Sequence, residues 1–195
     1  MLRGRPLYPV AVLGLATGMR RGELAALRWG DIDFDTGKIR VERSLEQTNA
    51  GLAFKAPKTK AGRRAVSIPP SIVTELRNHW REQQEQRLAL GIGKAGADDL
   101  VFARPDASPW PPDSLTTAWV KTIAALKLPK VTLHALRHTH VSQLIASGLD
   151  VVTVSRRIGH RNPTVTLAVY AHLFGNTDER AAAAVETALA GLLTE

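Results

Sequence analysis

Apolar residues recur at helical spacing from Pro6 to Leu27, with Pro6 near the first turn, and predict one amphipathic helix there. The rhythm then changes. RWGDIDFDTGKIRVE carries a turn signal at Asp35-Thr36-Gly37, and KIRVERSL alternates as a strand does. LAFKAPKTKAGRRAVSIP reads as two short strands around a basic Lys-Ala-Gly turn. Together these pieces predict a small antiparallel sheet. Pro69 and Pro70 end it, and Ser71 is placed to cap a helix running to about Leu90. GIGKAGADD is a loop, LVFARPD a short extended piece, and SPWPPD a proline-rich turn. Asp113 or Ser114 opens a helix to about Leu126, and Thr132 caps another from Leu133 to Ser147, stopped by Gly148. Short helices follow over Val151 to Ile158 and Thr164 to Leu173. The last helix runs from Thr177 to Leu193, with Asn176 and Glu179 at capping-box spacing. There is no internal repeat. The pattern predicts one domain over residues 1–195, mainly α with a small antiparallel β-sheet (α+β), in which 177–195 form a tail helix.

Composition narrows the class. An apolar content of 44% is too high for a disordered chain, and 195 residues suffice for one real core. With no cysteine, disulfides, thiolate metal sites and thiol nucleophiles are excluded. No apolar run is long enough to span a bilayer, and the basic N-terminus lacks the apolar region of a signal peptide. These features predict a soluble, cytoplasmic protein without a membrane partner.

Charge points to a partner. Lys and Arg number 26 against 18 Asp and Glu, a net charge of +8, which favours a polyanion, nucleic acid before membrane surface. The excess is uneven. Gln47 to Thr74 holds no acidic residue but carries Lys55, Lys58, Lys60, Arg63 and Arg64. A second basic segment spans Arg137 to Arg161, while the tail from Thr177 is acidic.

Each candidate for chemistry has a plain structural alternative. TGMRRGEL puts Arg20 and Arg21 at a helix end, with Glu23 three residues past Arg20 to hold its guanidinium; an ordinary surface pair has the same spacing. Lys60 in its turn can deliver a proton or a charge to a phosphate, or be simply solvated, and Lys58 competes with it. TLHALRHTH sets His134, Arg137 and His138 on one helical face. His134 and His138 also have the spacing of a zinc helix, but Ala135 stands where a metalloprotease has its glutamate. In RRIGHRNPTVTLAVYAHLFG, Tyr170 is either a core aromatic or a nucleophile served by the cations around it, with His160 ten residues before.

Taken together, these groups suit attack on a phosphodiester without a metal. The motifs ATGMRRGELAALRWGDID, PKTKAGRRAVSIP, LHALRHTHVSQLIASG and RRIGHRNPTVTLAVYAHL, in that order, resemble the catalytic domain of the tyrosine recombinases of the phage-integrase family. The resemblance runs from the first helix past Tyr170. It implies the DNA breaking-rejoining fold, site-specific recombination in DNA integration or excision, and no cofactor. It implies Arg20, Lys60, His134, Arg137, His160 and Tyr170 as catalytic residues, with Glu23 supporting Arg20. Arg21, Lys55, Lys58, Arg63, Arg64, His138 and Arg161 are the expected DNA contacts. The implied partner is double-stranded DNA, bound as a homotetramer by the full-length enzyme, the isolated domain being a monomer. The chain departs from the family in having Ala135 after the motif histidine, where Asp is common. The N-terminal core-binding domain is expected to be absent.

Overall fold

The computed structural model describes residues 2–57, 60–174 and 178–190. The predicted first helix is two. Helix α1, Tyr8–Thr17, buries Val10, Ala11, Leu13, Gly14 and Thr17, then ends where Gly18 takes the left-handed conformation, φ 63°. A side chain there would be strained, and a Cβ on Gly18 would stand 2.7 Å from the His140 ring. The chain passes through Arg20 in extended conformation and re-enters a short helix α2, Arg21–Ala25. Apolar spacing continues through the break, which is why periodicity alone merges the two helices.

The predicted single sheet is also two. Strands β1 (Ile32–Asp33), β2 (Lys38–Val41) and β5 (Arg64–Ser67) form one antiparallel sheet in the order β1-β2-β5. Strands β3 (Ser44–Thr48) and β4 (Gly51–Lys55) pair only with each other. In the first sheet the buried Ile39 faces the buried Val66; in the second Leu45 is buried but its partner Phe54 is exposed. The two strands flanking the basic turn therefore belong to different sheets, and the turn is a crossover rather than a hairpin tip.

Helix α3, Pro70–Ala89, starts from Pro69 without a side-chain cap, so Ser71 lies inside it and does not cap it. Proline at the first helical position gives up an N–H that would have had no partner. Helix α4, Pro112–Ala125, likewise begins with prolines. Thr132 caps α5, Leu133–Ala146, as its position predicts, accepting from the Ala135 N–H at 3.0 Å. Asp150 caps α6, Val151–Ile158, and Asn162 caps α7, Pro163–Tyr170, which runs into a 3₁₀ turn at Ala171–Leu173. Helix α8 covers Asp178–Leu189. The predicted Asn176 cap and the tail beyond Ala190 fall outside the described residues.

The main core joins α1–α5 to the inner face of the three-stranded sheet through Leu13, Leu24, Ile39, Val66, Leu115 and Trp119. A smaller core packs Val141 and Ile145 of α5 against Val154 and Ile158 of α6 and the ring of Tyr170. No described helix is long and apolar enough to cross a membrane.

Candidate active site

The end of α6 is where distant parts of the chain meet. A helix C-terminus leaves its last carbonyls without backbone partners and carries partial negative charge, so cations suit it. Three guanidiniums supply the donors. Arg64 Nε donates to the Arg157 carbonyl at 2.8 Å, Arg137 Nη2 to Ile158 at 2.8 Å, and Arg20 Nη2 to Gly159 at 3.2 Å. Arg137 also donates from Nη1 to the Gly18 carbonyl at 2.6 Å, which ties the α1–α2 break to the end of α6. Gly159 is left-handed, φ 70°, and a Cβ there would be strained and would stand 2.8 Å from Arg64 Nη1, so Arg64 would have to shift.

Glu23 holds the cluster together. Its carboxylate accepts from Arg64 at 2.9 and 3.1 Å, from Arg20 Nη1 at 3.0 Å and from the Arg20 N–H at 2.9 Å. Burial alone would raise its pKa, but the hydrogen bonds and charge of Arg64, then of Arg20, hold the carboxyl below the usual range. Burial, then the charge of Arg20, pushes Arg137 down to about 10, which leaves it a cation at neutral pH. Three cations face one carboxylate, an excess of positive charge that suits an anion.

His160 follows directly. Its Nδ1 is 2.9 Å from the Thr166 hydroxyl, which is 2.5 Å from the Ser155 hydroxyl; both hydroxyls are buried. Burial, then Arg137, Arg20 and Arg64, pushes His160 down to about 4, so the ring is neutral. Tyr170 is a core aromatic whose hydroxyl still reaches the site. Its ring belongs to the smaller core, while its hydroxyl lies 2.5 Å from His138 Nδ1. Burial raises the phenol's pKa against the opposing charge of Arg137. His134 meets His138 edge to face at 4.6 Å; burial, then His138, Arg137 and Arg20, lowers its pKa.

Arg20, Glu23, His134, Arg137, His160 and Tyr170 thus converge around one cluster. The 3₁₀ turn Lys60–Gly62 passes beside it, since the Ala61 carbonyl is 3.1 Å from the place of a Gly159 Cβ. Lys58 and the side chain of Lys60 fall outside the described residues. Of the expected DNA contacts, Arg63 and Arg161 are exposed, and with Arg156 and His160 they line a shallow groove of about 420 Å³. Arg64 does not face outward: its side chain is only 6% exposed and is spent on Glu23 and Arg157. His138 points at Tyr170 instead of out from its helix. Arg21 docks α2 on α4 through Asp113 and Thr116, and Lys55 pairs with Glu46 across β3 and β4. Among the described residues no group of three or more His, Asp or Glu is arranged to hold a metal.

Thr166, Ser155 and the Glu23–Arg64 pair have no sequence signature. Their partners lie far along the chain or are common helix residues, and only the fold brings them together.

The fold is shared with tyrosine recombinase catalytic domains. The phage integrase family matches residues 7–176, and the chain belongs to that family. It is 34% identical over 179 residues to the ICEBs1 integrase of Bacillus subtilis, covering 91% of this chain and 47% of that one. It is 31% identical over 185 residues to a XerC-like tyrosine recombinase of Caldanaerobacter subterraneus, covering 88% and 47%. The chain spans about half the length of these relatives. Among solved structures, the Tn1549 transposon integrase in complex with circular intermediate DNA aligns with a TM-score of 0.71 at 26% identity, over 93% of this chain and 59% of that one. A lambda integrase dimer bound to a core site shares the fold at a TM-score of 0.53 and 18% identity, over 84% and 53%.

Proposed function

We propose that the chain is the DNA-cleaving and rejoining half of a site-specific recombinase, acting through Tyr170 on a phosphodiester of duplex DNA. The observation that carries this reading is the Tyr170 hydroxyl on the edge of a cluster of Arg20, Arg137 and neutral His160. Charge in the transition state gathers on the non-bridging phosphoryl oxygens, and fixed donors aimed there are worth most in a site shielded from water. Arg20 and Arg137 supply charge. His160, positioned by Thr166, supplies a hydrogen bond without a further positive charge to repel its neighbours.

The Tyr170 oxygen attacks phosphorus, the bond to the 5′-oxygen breaks, and a 3′-phosphotyrosyl link forms. Lys60 is assigned the proton for the leaving 5′-oxygen, from its position in the turn beside Gly159. A 5′-hydroxyl of a partner strand then reverses the step. The phosphotyrosine keeps the bond energy, so the exchange needs no nucleotide cofactor. Exposed Arg63, Arg156 and Arg161 would contact the DNA backbone and fix register rather than read sequence. Helix α8 exposes Val185 and Leu189, which suits packing on a neighbouring protomer of a DNA-bound tetramer. Incubation with duplexes carrying the chain's attachment site and a nick beside the scissile phosphate tests the reaction. Wild type should trap a covalent adduct; binding without an adduct would leave a DNA-binding remnant.

A further inference from the structure

The phenol of Tyr170 needs a proton acceptor. Burial raises its pKa, so it will not ionise unaided near neutral pH. Among the described residues its hydroxyl touches one basic atom, His138 Nδ1, at 2.5 Å. His134, three residues before Arg137, has no hydrogen bond to that hydroxyl. It stands one turn back, against the His138 ring.

We propose that His138 is a further catalytic residue, the acceptor of the Tyr170 proton, with His134 acting on it from behind. This rests on the reading of Tyr170 as nucleophile. In the proposed step His138 carries its proton on Nε2, and its Nδ1 lone pair accepts the phenolic O–H. As the Tyr170 oxygen bonds to phosphorus its proton moves to Nδ1, giving an imidazolium. The bond from phosphorus to the 5′-oxygen breaks, and that oxygen takes a proton from the acid on the leaving-group side. On rejoining, the incoming 5′-hydroxyl gives up its proton there and His138 returns its own to Tyr170, so no proton is gained or lost over the cycle.

The setting favours this direction. His138 sits on α5 one residue after Arg137, so the group that binds the phosphoryl oxygens and the group that takes the proton share a rigid helix. Beside it stand His134, whose ring it meets edge to face, and Tyr170 of α7, while Arg137 and Arg20 act on His134. The two arginines oppose a second cation, and His134 is held neutral beside them. A bound phosphate would set negative charge against the proton that His138 takes, which ties deprotonation of the nucleophile to the presence of substrate.

Two measurements on the full chain test this. The first needs no DNA. Nitrogen-15 spectra at neutral pH should show His138 as the Nε2–H tautomer with a hydrogen-bonded Nδ1, and Tyr170→Phe should shift that Nδ1 signal; an Nδ1–H tautomer, or no shift, overturns the proposal. The second is adduct formation on the nicked attachment-site duplex. A positioned base is typically worth about 10²–10⁴-fold, so His138→Gln should slow adduct formation at pH 7 by about that factor. It should recover toward pH 10, and added imidazole should restore His138→Gly. A merely structural role gives neither recovery nor rescue. Should His134→Gln instead show the loss with recovery, while His138→Gln cleaves normally, His134 is the base and the proposal fails. A wild-type chain that binds the duplex but forms no adduct, with the expected tautomer present, rejects the recombinase reading instead and leaves the pairing intact.

Discussion

Glu23 sits between Arg64 and Arg20 with its side chain 5% exposed, and a buried carboxylate so placed has no cheap replacement. Removing one partner of a buried ion pair strands the other and costs about 3 to 5 kcal/mol. Glu23→Gln should therefore lower the unfolding free energy by about 3 kcal/mol in urea titrations, and should free Arg20 to wander. His140 is a second residue whose burial matters. It accepts from Arg157 Nε on one side, faces the Leu15 carbonyl on the other, and is pushed down to about 4 by burial and then by Arg157. Between the ordinary histidine value of about 6.5 and about 4, the unfolded chain binds a proton that the folded chain does not. Stability should thus fall as pH falls across that window, by about 3 kcal/mol from this group, and Glu23, whose carboxyl is held below its usual range, adds a loss as it protonates. Urea midpoints from pH 7 to pH 4 measure the slope, and His140→Gln should flatten it.

At the scale of elements, Gly18 and Gly159 decide where side chains can meet. Each ends a helix in the left-handed conformation, and each lies where a Cβ would strike another side chain, His140 in one case and Arg64 in the other. Gly18→Ala should destabilise the fold by about 1 to 3 kcal/mol and slow adduct formation more than it weakens DNA binding, because it moves Arg20. Much of this architecture was legible in the chain. Helices α5 and α6 and the cap at Thr132 follow from local chemistry, since a capping side chain bonds within three residues. The break at Gly18 was not legible, because apolar spacing runs unbroken through it. Nor was the pairing of β5 with β2, because partner choice depends on which inward residues must share a core. The order of Arg20, His134, Arg137, His160 and Tyr170 carried the site. What sequence could not supply was contact across more than a hundred residues, as between Arg137 and Gly18, or the turn of His138 toward Tyr170.

For the whole molecule, a net charge of +8, with Arg63, Arg156 and Arg161 exposed beside the site, should make the proposed DNA binding salt-dependent. Each phosphate contact contributes roughly −0.9 to the slope of log K against log salt, so Arg63→Ala and Arg161→Ala should each reduce its magnitude by about 1 in titrations on duplex DNA. The tail makes a separate prediction. If α8 packs on a neighbour, light scattering with site DNA should give a larger assembly for the full chain than for one ending at Gly175; equal masses would mean no such packing. The central claim is that Tyr170 becomes covalently joined to DNA, and mass spectrometry of the adduct on the nicked attachment-site duplex tests it most directly. The account predicts a 3′-phosphonucleotide on the peptide containing Tyr170, and a Tyr170→Phe chain that binds the same duplex without forming it. An adduct on another residue, or one that persists in Tyr170→Phe, would contradict it.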